Sequence, residues 1–266
     1  VLSAVIPSLG QPIIDEVGRA ELAAEGRPFA PNSPMGRCAN ELGRALGFDE
    51  VIVVRNDTRP YTVDVFRKST PVITLGTRLV DEFSLGHLSF LIASCLVPVA
   101  FGGLPLRFTP AGRAIDDGVL TSLLGGVFGA LGFEIDLRER EQANANRVAS
   151  LINENLKPGD LARLRPYSQE AYLAVGAIGI PTLRQALEAF TARIALVLGY
   201  SFGGAMEALR RLNFDDRPRS GLSEADLLGV LNDNVVLGGL LSFAGTPTCL
   251  ALRAKVYGGD TPPSAD

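Results

Sequence analysis

Two groupings of side chains in this sequence have types and spacings that suit reaction chemistry. The first is Gly199-Tyr200-Ser201-Phe202-Gly203, a literal G-x-S-x-G. Glycines flanking a serine permit the tight strand-to-helix turn that exposes a nucleophilic hydroxyl, and Ile194 to Leu198 just before it could be the strand. A serine hydroxyl stays a weak nucleophile without a general base. The chain's one histidine, His87, lies 114 residues before Ser201 (201 − 87), whereas this motif requires its histidine after the serine. A packing role, with Gly199 ending one helix and Gly203-Gly204 letting another approach closely, outweighs the catalytic one. Ser201 is kept as the alternative nucleophile of a thioesterase-like acyl-hydrolase. The second grouping is His87 with Cys95. Eight residues of helix would separate them by ~12 Å, too far for proton transfer.

Composition narrows the chemistry further. The 266 residues carry 25 Lys+Arg against 29 Asp+Glu, a net charge of −4. Nucleic-acid binding needs a dense positive field, so no nucleic-acid partner is expected. Hydrophobic residues make up 47% and charged ones 20%, which excludes a disordered chain. Three cysteines (38, 95 and 249) cannot all pair within one chain, which favours a reducing, cytoplasmic setting. Cys38 and Cys249 read as small core residues. The chain opens at Val1 and closes on the polar run from Gly258 to Asp266. It reads as a domain over 1–258, set in a longer polypeptide, with a polar linker or tail over 259–266.

The elements that must position these groups follow from periodicity and punctuation. Helices are expected over Ile13 to Glu25 and from Met35 to Leu46, the second ended by Gly47. Val51 to Val54, Tyr61 to Arg67 and Pro71 to Leu75 are short, β-branched runs separated by turn residues, and predict three strands. Beyond Gly76 the pattern is helical: Thr77 to Glu82, Leu85 to Val97 behind Ser84 as N-cap, then 117–131, 138–156, 168–176, 181–199, 202–212, 223–241 and 247–257. Leu88 to Leu106 is free of charge, but Pro98, Gly102, Gly103 and Pro105 interrupt it, so a buried core helix is expected and no transmembrane segment.

The segment "PVITLGTRLVDEFSLGHLSFLIASCLVPVAFG" resembles zinc metallopeptidases of the CaaX-prenyl-protease type. In that family a strand, a short helix and a turn lead into the helix bearing H-E-x-x-H. Here Val72 to Gly76 matches the strand, Thr77 to Val80 the short helix, and Phe90 to Ala93 the approach to the motif. Zinc chemistry there needs two imidazoles one helical turn apart, with a carboxylate between them as base. Ser94 and Pro98 stand in place of the two ligands and Cys95 in place of the base. In Leu187 to Arg193, Glu188 matches the family's third ligand, Ala192 replaces the second-shell Asp, and Arg193 is kept. The chain is also similar to degenerate domains of this kind attached to large tetratricopeptide-containing proteins of myxobacteria and relatives. Leu240, Phe243, Leu252, Arg253 and Gly258 hold places that match their closing helices.

The resemblance implies an α+β fold: a predominantly helical single domain with a small three-stranded sheet packed on a relic zinc-peptidase helix. It implies a catalytically inactive, metallopeptidase-like domain serving protein interaction or scaffolding within a larger bacterial protein, with no metal and no other cofactor. Its partner would be another protein or another domain of the same chain. The relic cleft would hold Ser94, Cys95, Pro98, Glu188 and Arg193, with Glu188 facing Ser94 and Pro98 and paired by Ser94 or Arg193.

Overall fold

The computed structural model describes residues 26–66, 70–101, 117–213 and 235–257. It is mostly helical with a small sheet, as the sequence implies, and the sheet has four strands rather than three. The expected helix over Ile13 to Glu25, the first residues of the expected 223–241 helix and the tail 259–266 lie outside the described residues. The chain's described residues group into two compact units, the first over 101 and 117–187, the second over 26–66, 70–100, 188–213 and 235–257.

In the second unit, β1 (Arg27–Pro28), β2 (Ile52–Asn56), β3 (Val63–Phe66) and β4 (Val72–Gly76) form a sheet of order β1-β2-β4-β3. β2 and β4 run parallel, with Val54 opposite Thr74, while β1 and β3 are antiparallel to their neighbours. The extra strand, β1, is only two residues long and contains a proline, so no alternation announces it. Before β2 comes α1 (Pro34–Ala45), capped by the Ser33 hydroxyl, which accepts the Gly36 N–H at 3.1 Å. Past its end Gly47 takes φ +85°, the left-handed conformation that favours glycine. The Val51 N–H donates to the Asn40 side-chain oxygen at 2.9 Å and ties α1 to the start of β2.

Beyond β4 follow α2 (Thr77–Glu82) and α3 (Leu85–Ala100). Every residue of α3 from Leu88 to Val99 is buried. A helix apolar on all sides is stable only when enclosed, and α3 packs against α1, β3 and the later helix α8 (Phe202–Asn213). It runs on through Pro98 to Ala100, where the sequence suggested a stop near Val97. The proline withholds one N–H from the Ser94 carbonyl but sits in the last turn, where little helix remains to be broken.

The first unit is built from α4 (Asp117–Ala130), α5 (Glu139–Asn155), α6 (Pro158–Ile178) and the first residues of α7 (Ile180–Leu198), which crosses the boundary between the units. α6 starts ten residues earlier than expected (168 − 158) and carries Pro166 inside it. Leu120, Leu123, Leu124 and Phe128 form its core, closed by Phe133 and Tyr172, whose rings stack at 5.1 Å. In the second unit the chain closes with α9 (Val235–Ala244) and α10 (Pro247–Tyr257).

The α3–α8 crossing depends on glycine at position 204, which meets the α3 backbone at Gly86 and His87. A methyl group at Gly204 would lie 2.8 Å from the backbone of Gly86, whereas one at Gly203 would meet nothing nearer than 3.9 Å. Gly204→Ala should therefore lower unfolding stability by about 1–3 kcal/mol through overpacking. Gly203→Ala should be neutral or gain up to ~1 kcal/mol from helix propensity. Chemical denaturation of the two variants beside the parent distinguishes them; equal midpoints would remove the close crossing.

Candidate functional site

The matched motif positions lie deep inside α3. Cys95 is 1% exposed and Pro98 is buried. Ser94 is buried too, and its hydroxyl donates to the Leu91 carbonyl at 2.8 Å, a bond within its own helix. None of the three side chains supplies an imidazole or carboxylate, and among the described residues no group of three His, Cys, Asp or Glu stands close enough to hold a metal ion.

Glu188 and Arg193 both lie on α7, but they do not pair. The Arg193 guanidinium sits over the Phe243 ring of α9 at 5.6 Å, a cation–π contact. Five residues of helix turn the two side chains about 140° apart at 3.6 residues per turn, so they point to different faces. Glu188 is half-buried, and among the described residues it makes no hydrogen bond or ion pair, with Ser94 or with any other group. Among the described residues no pairing of Glu188 is seen: the Ser94 hydroxyl donates within its own helix and the Arg193 guanidinium lies over Phe243.

The Gly199 to Gly204 segment joins two helices, α7 and α8, with no strand before it. The Gly199 N–H closes α7 onto the Ala195 carbonyl at 2.7 Å. Ser201 opens α8 as its cap: its carbonyl accepts the Ala205 N–H at 3.1 Å and its hydroxyl accepts the Gly204 N–H at 3.0 Å. The hydroxyl therefore serves a helix start and not a strand-to-helix elbow. His87 lies at the beginning of α3, where its Nδ1 is 2.6 Å from the Ser84 hydroxyl and its ring lies against Phe83.

Between these two positions the structure assembles polar groups that sequence reasoning missed. The Tyr200 N–H donates to the Ser89 hydroxyl at 3.0 Å, and Ser89 in turn donates to the Gly86 carbonyl at 2.9 Å. The Tyr200 hydroxyl donates to the Glu41 carboxylate at 2.5 Å, and the buried Cys38 thiol lies on the same helix as Glu41, one turn before it. Arg253 of α10 donates to the carbonyls of Leu196 and Gly199 at 2.5 and 2.9 Å, and the Tyr257 hydroxyl donates to the Leu198 carbonyl. The i, i+3 spacing of Cys38 and Glu41, and the i, i+4 spacing of Arg253 and Tyr257, are the only signals the sequence carries. They show shared helix faces but not which faces meet.

Electrostatics follow from this burial. Enclosure pushes the Cys38 thiol up to about 12, and the nearby Glu41 charge adds to the rise while the Tyr200 hydrogen bond opposes it. Burial also raises the Tyr200 hydroxyl, helped by Cys38 and Glu41. It lifts Tyr257 to about 12 as well, against the pull of Arg253. A thiol held protonated is a poor nucleophile and a poor metal ligand, and the Tyr200–Glu41 hydrogen bond beside it ties α1 to the turn between α7 and α8.

An alkaline pH dependence follows. The thiol ionises near 9.0 in the unfolded chain but only near 12 in the fold. Between those values the unfolded chain binds fewer protons, so stability falls as pH rises; below about pH 9 the contribution is complete. Urea titrations from pH 8 to 11 should show this fall, with one such group contributing a slope of up to about 1.4 kcal/mol per pH unit. Cys38→Ala should flatten the slope, and an unchanged slope would place Cys38 outside the cluster. In comparisons with known proteins, no family model, curated protein or solved structure matches the chain, so what these groups do has to come from the residues themselves.

Proposed function

We propose that this chain is a catalytically inactive, metallopeptidase-like domain that serves protein interaction or scaffolding within a larger bacterial protein. The observation that carries the reading is the enclosure of Ser94, Cys95 and Pro98 at the positions where the resembled peptidases hold two zinc ligands and a base. A helix buried on every side excludes the water that zinc hydrolysis must activate. Ser94, Cys95 and Pro98 supply neither the two imidazoles nor the carboxylate base, and the one thiol, Cys95, does not make a zinc site by itself. Glu188, half-buried and unpaired among the described residues, is one carboxylate and does not make a site alone.

The partner is a protein or another domain of the same chain, with no nucleic acid involved, since the net charge of −4 gives no field for phosphates. No described helix is long and apolar enough to cross a membrane. The three cysteines are free and buried, which suits a cytoplasmic setting. Ser201, the nucleophile of the alternative acyl-hydrolase, uses its hydroxyl as a helix cap and has no histidine after it in the sequence.

Protein purified without added metal should carry no stoichiometric zinc by mass spectrometry, and its melting temperature should not change on chelation, because no metal-binding energy supports the fold. A fluorophosphonate probe should leave Ser201 unlabelled. Retained zinc would replace this reading with a metallopeptidase, and labelling of Ser201 abolished by Ser201→Ala would replace it with a serine hydrolase.

A further inference from the structure

Helix α10 is attached in an unusual way. Of its residues, Cys249 is 2% exposed and fully enclosed, while Leu250, Leu252 and Val256 are 63%, 37% and 42% exposed. Most of its apolar surface thus faces solvent, and burial contributes little to holding it. Among the described residues, besides its packing on α9, its side-chain hydrogen bonds to other elements are concentrated at one place. The Arg253 guanidinium and the Tyr257 hydroxyl donate to the Leu196, Leu198 and Gly199 carbonyls, at the C-terminal end of α7. The Arg253 guanidinium also lies over the Tyr257 ring at 5.5 Å, so the two anchors brace each other.

These contacts have a clear physical sense. The last carbonyls of a helix have no partner within it, and the partial negative charge they carry attracts a cation. Arg253 supplies both donor and charge from a different helix. Such bonds exchange readily for water, because an opened α7 end is simply a solvated helix end. Apolar burial has no such substitute. Elements with few buried contacts open at lower free energy than the unit that carries them. The contrast within this unit is sharp: α3 is enclosed from Leu88 to Val99, whereas α10 encloses one small side chain.

We propose that α10 is a detachable latch, held on the end of α7 by Arg253 and Tyr257, and that it opens by itself while the rest of its unit stays folded. Opening uncovers Cys249 and returns the α7 carbonyls to water. It leaves Cys95 enclosed in α3. The two cysteines therefore report on two different openings within one unit.

The test is native-state alkylation of the whole chain by excess iodoacetamide, read site by site by mass spectrometry. Cys249 should be modified at least tenfold faster than Cys95. Tyr257→Phe and Arg253→Gln should each speed Cys249 several-fold further and leave Cys95 unchanged. Low urea should accelerate Cys95 and barely affect Cys249, since a local opening exposes little surface. Matching rates at the two cysteines, variants that speed both equally, or variants that leave Cys249 unchanged would overturn the latch. Should Arg253→Gln fail to fold, Tyr257→Phe and the urea dependence of the parent protein still decide it.

Discussion

Enclosure of α3 is the constraint on which the rest of its unit depends. From Leu88 to Val99 no side chain of this helix reaches solvent, so every residue there must be apolar or satisfy its own polar atoms. Ser89 and Ser94 do so by donating to the carbonyls of Gly86 and Leu91. The same enclosure requires neighbours on all sides, which α1, β3 and α8 provide. On the α8 side the backbones come so close that Gly204, set against the Gly86 backbone, has no room for a side chain. Chemistry in such a helix would need a polar side chain aimed at solvent or at a cavity, and Ser94 aims its hydroxyl back at the helix that carries it.

The second unit closes through polar links that radiate from the turn between α7 and α8. Tyr200 reaches inward with its N–H to Ser89 and outward with its hydroxyl to Glu41. Arg253 and Tyr257 take the carbonyls on the other side of the turn. All of these links except the one from Tyr200 to Glu41 satisfy a backbone group at or beside a helix end. The turn therefore gathers α1, α3, α7 and α10 without a large apolar surface of its own. Its glycines serve this geometry: Gly199 lies against Phe90, and Gly204 against Gly86. In this chain the G-x-S-x-G pattern is a helix-to-helix joint.

Local rules were enough to read much of this fold in the sequence. Ser33 before Pro34, the periodic run to Ala45 and Gly47 beyond it mark α1 from cap to stop. The β-branched runs of β2, β3 and β4 and the short α2 were legible for the same reason: each is a regular pattern bounded by turn residues. The helical nature of 181–199 was legible as well, and it already spoke against a strand before Ser201. What the sequence hid is non-local. β1 has two residues and exists because β2 offers it an edge. Pro166 lies within α6 and Pro98 within α3, although a proline normally predicts a boundary. The hydrogen bond from Tyr200 to Glu41 spans 159 residues of chain, a separation no motif encodes.

The same distinction governs the candidate site. Residue identities at 94, 95 and 98 are a local fact, and they alone determine which ligands a metal would meet on α3. The placement of Glu188 and Arg193 is a three-dimensional one, and spacing in a phrase did not predict it. Arg193 lies on the α7 face that meets α9, where Phe243 offers its ring. A guanidinium keeps its charge in every setting and is weakly hydrated, so an aromatic face competes well with a carboxylate on another side of the helix. Matching the order of residues in a motif therefore carries less weight than matching the helix face on which they fall. An i, i+5 pair fails that requirement before any tertiary contact is considered.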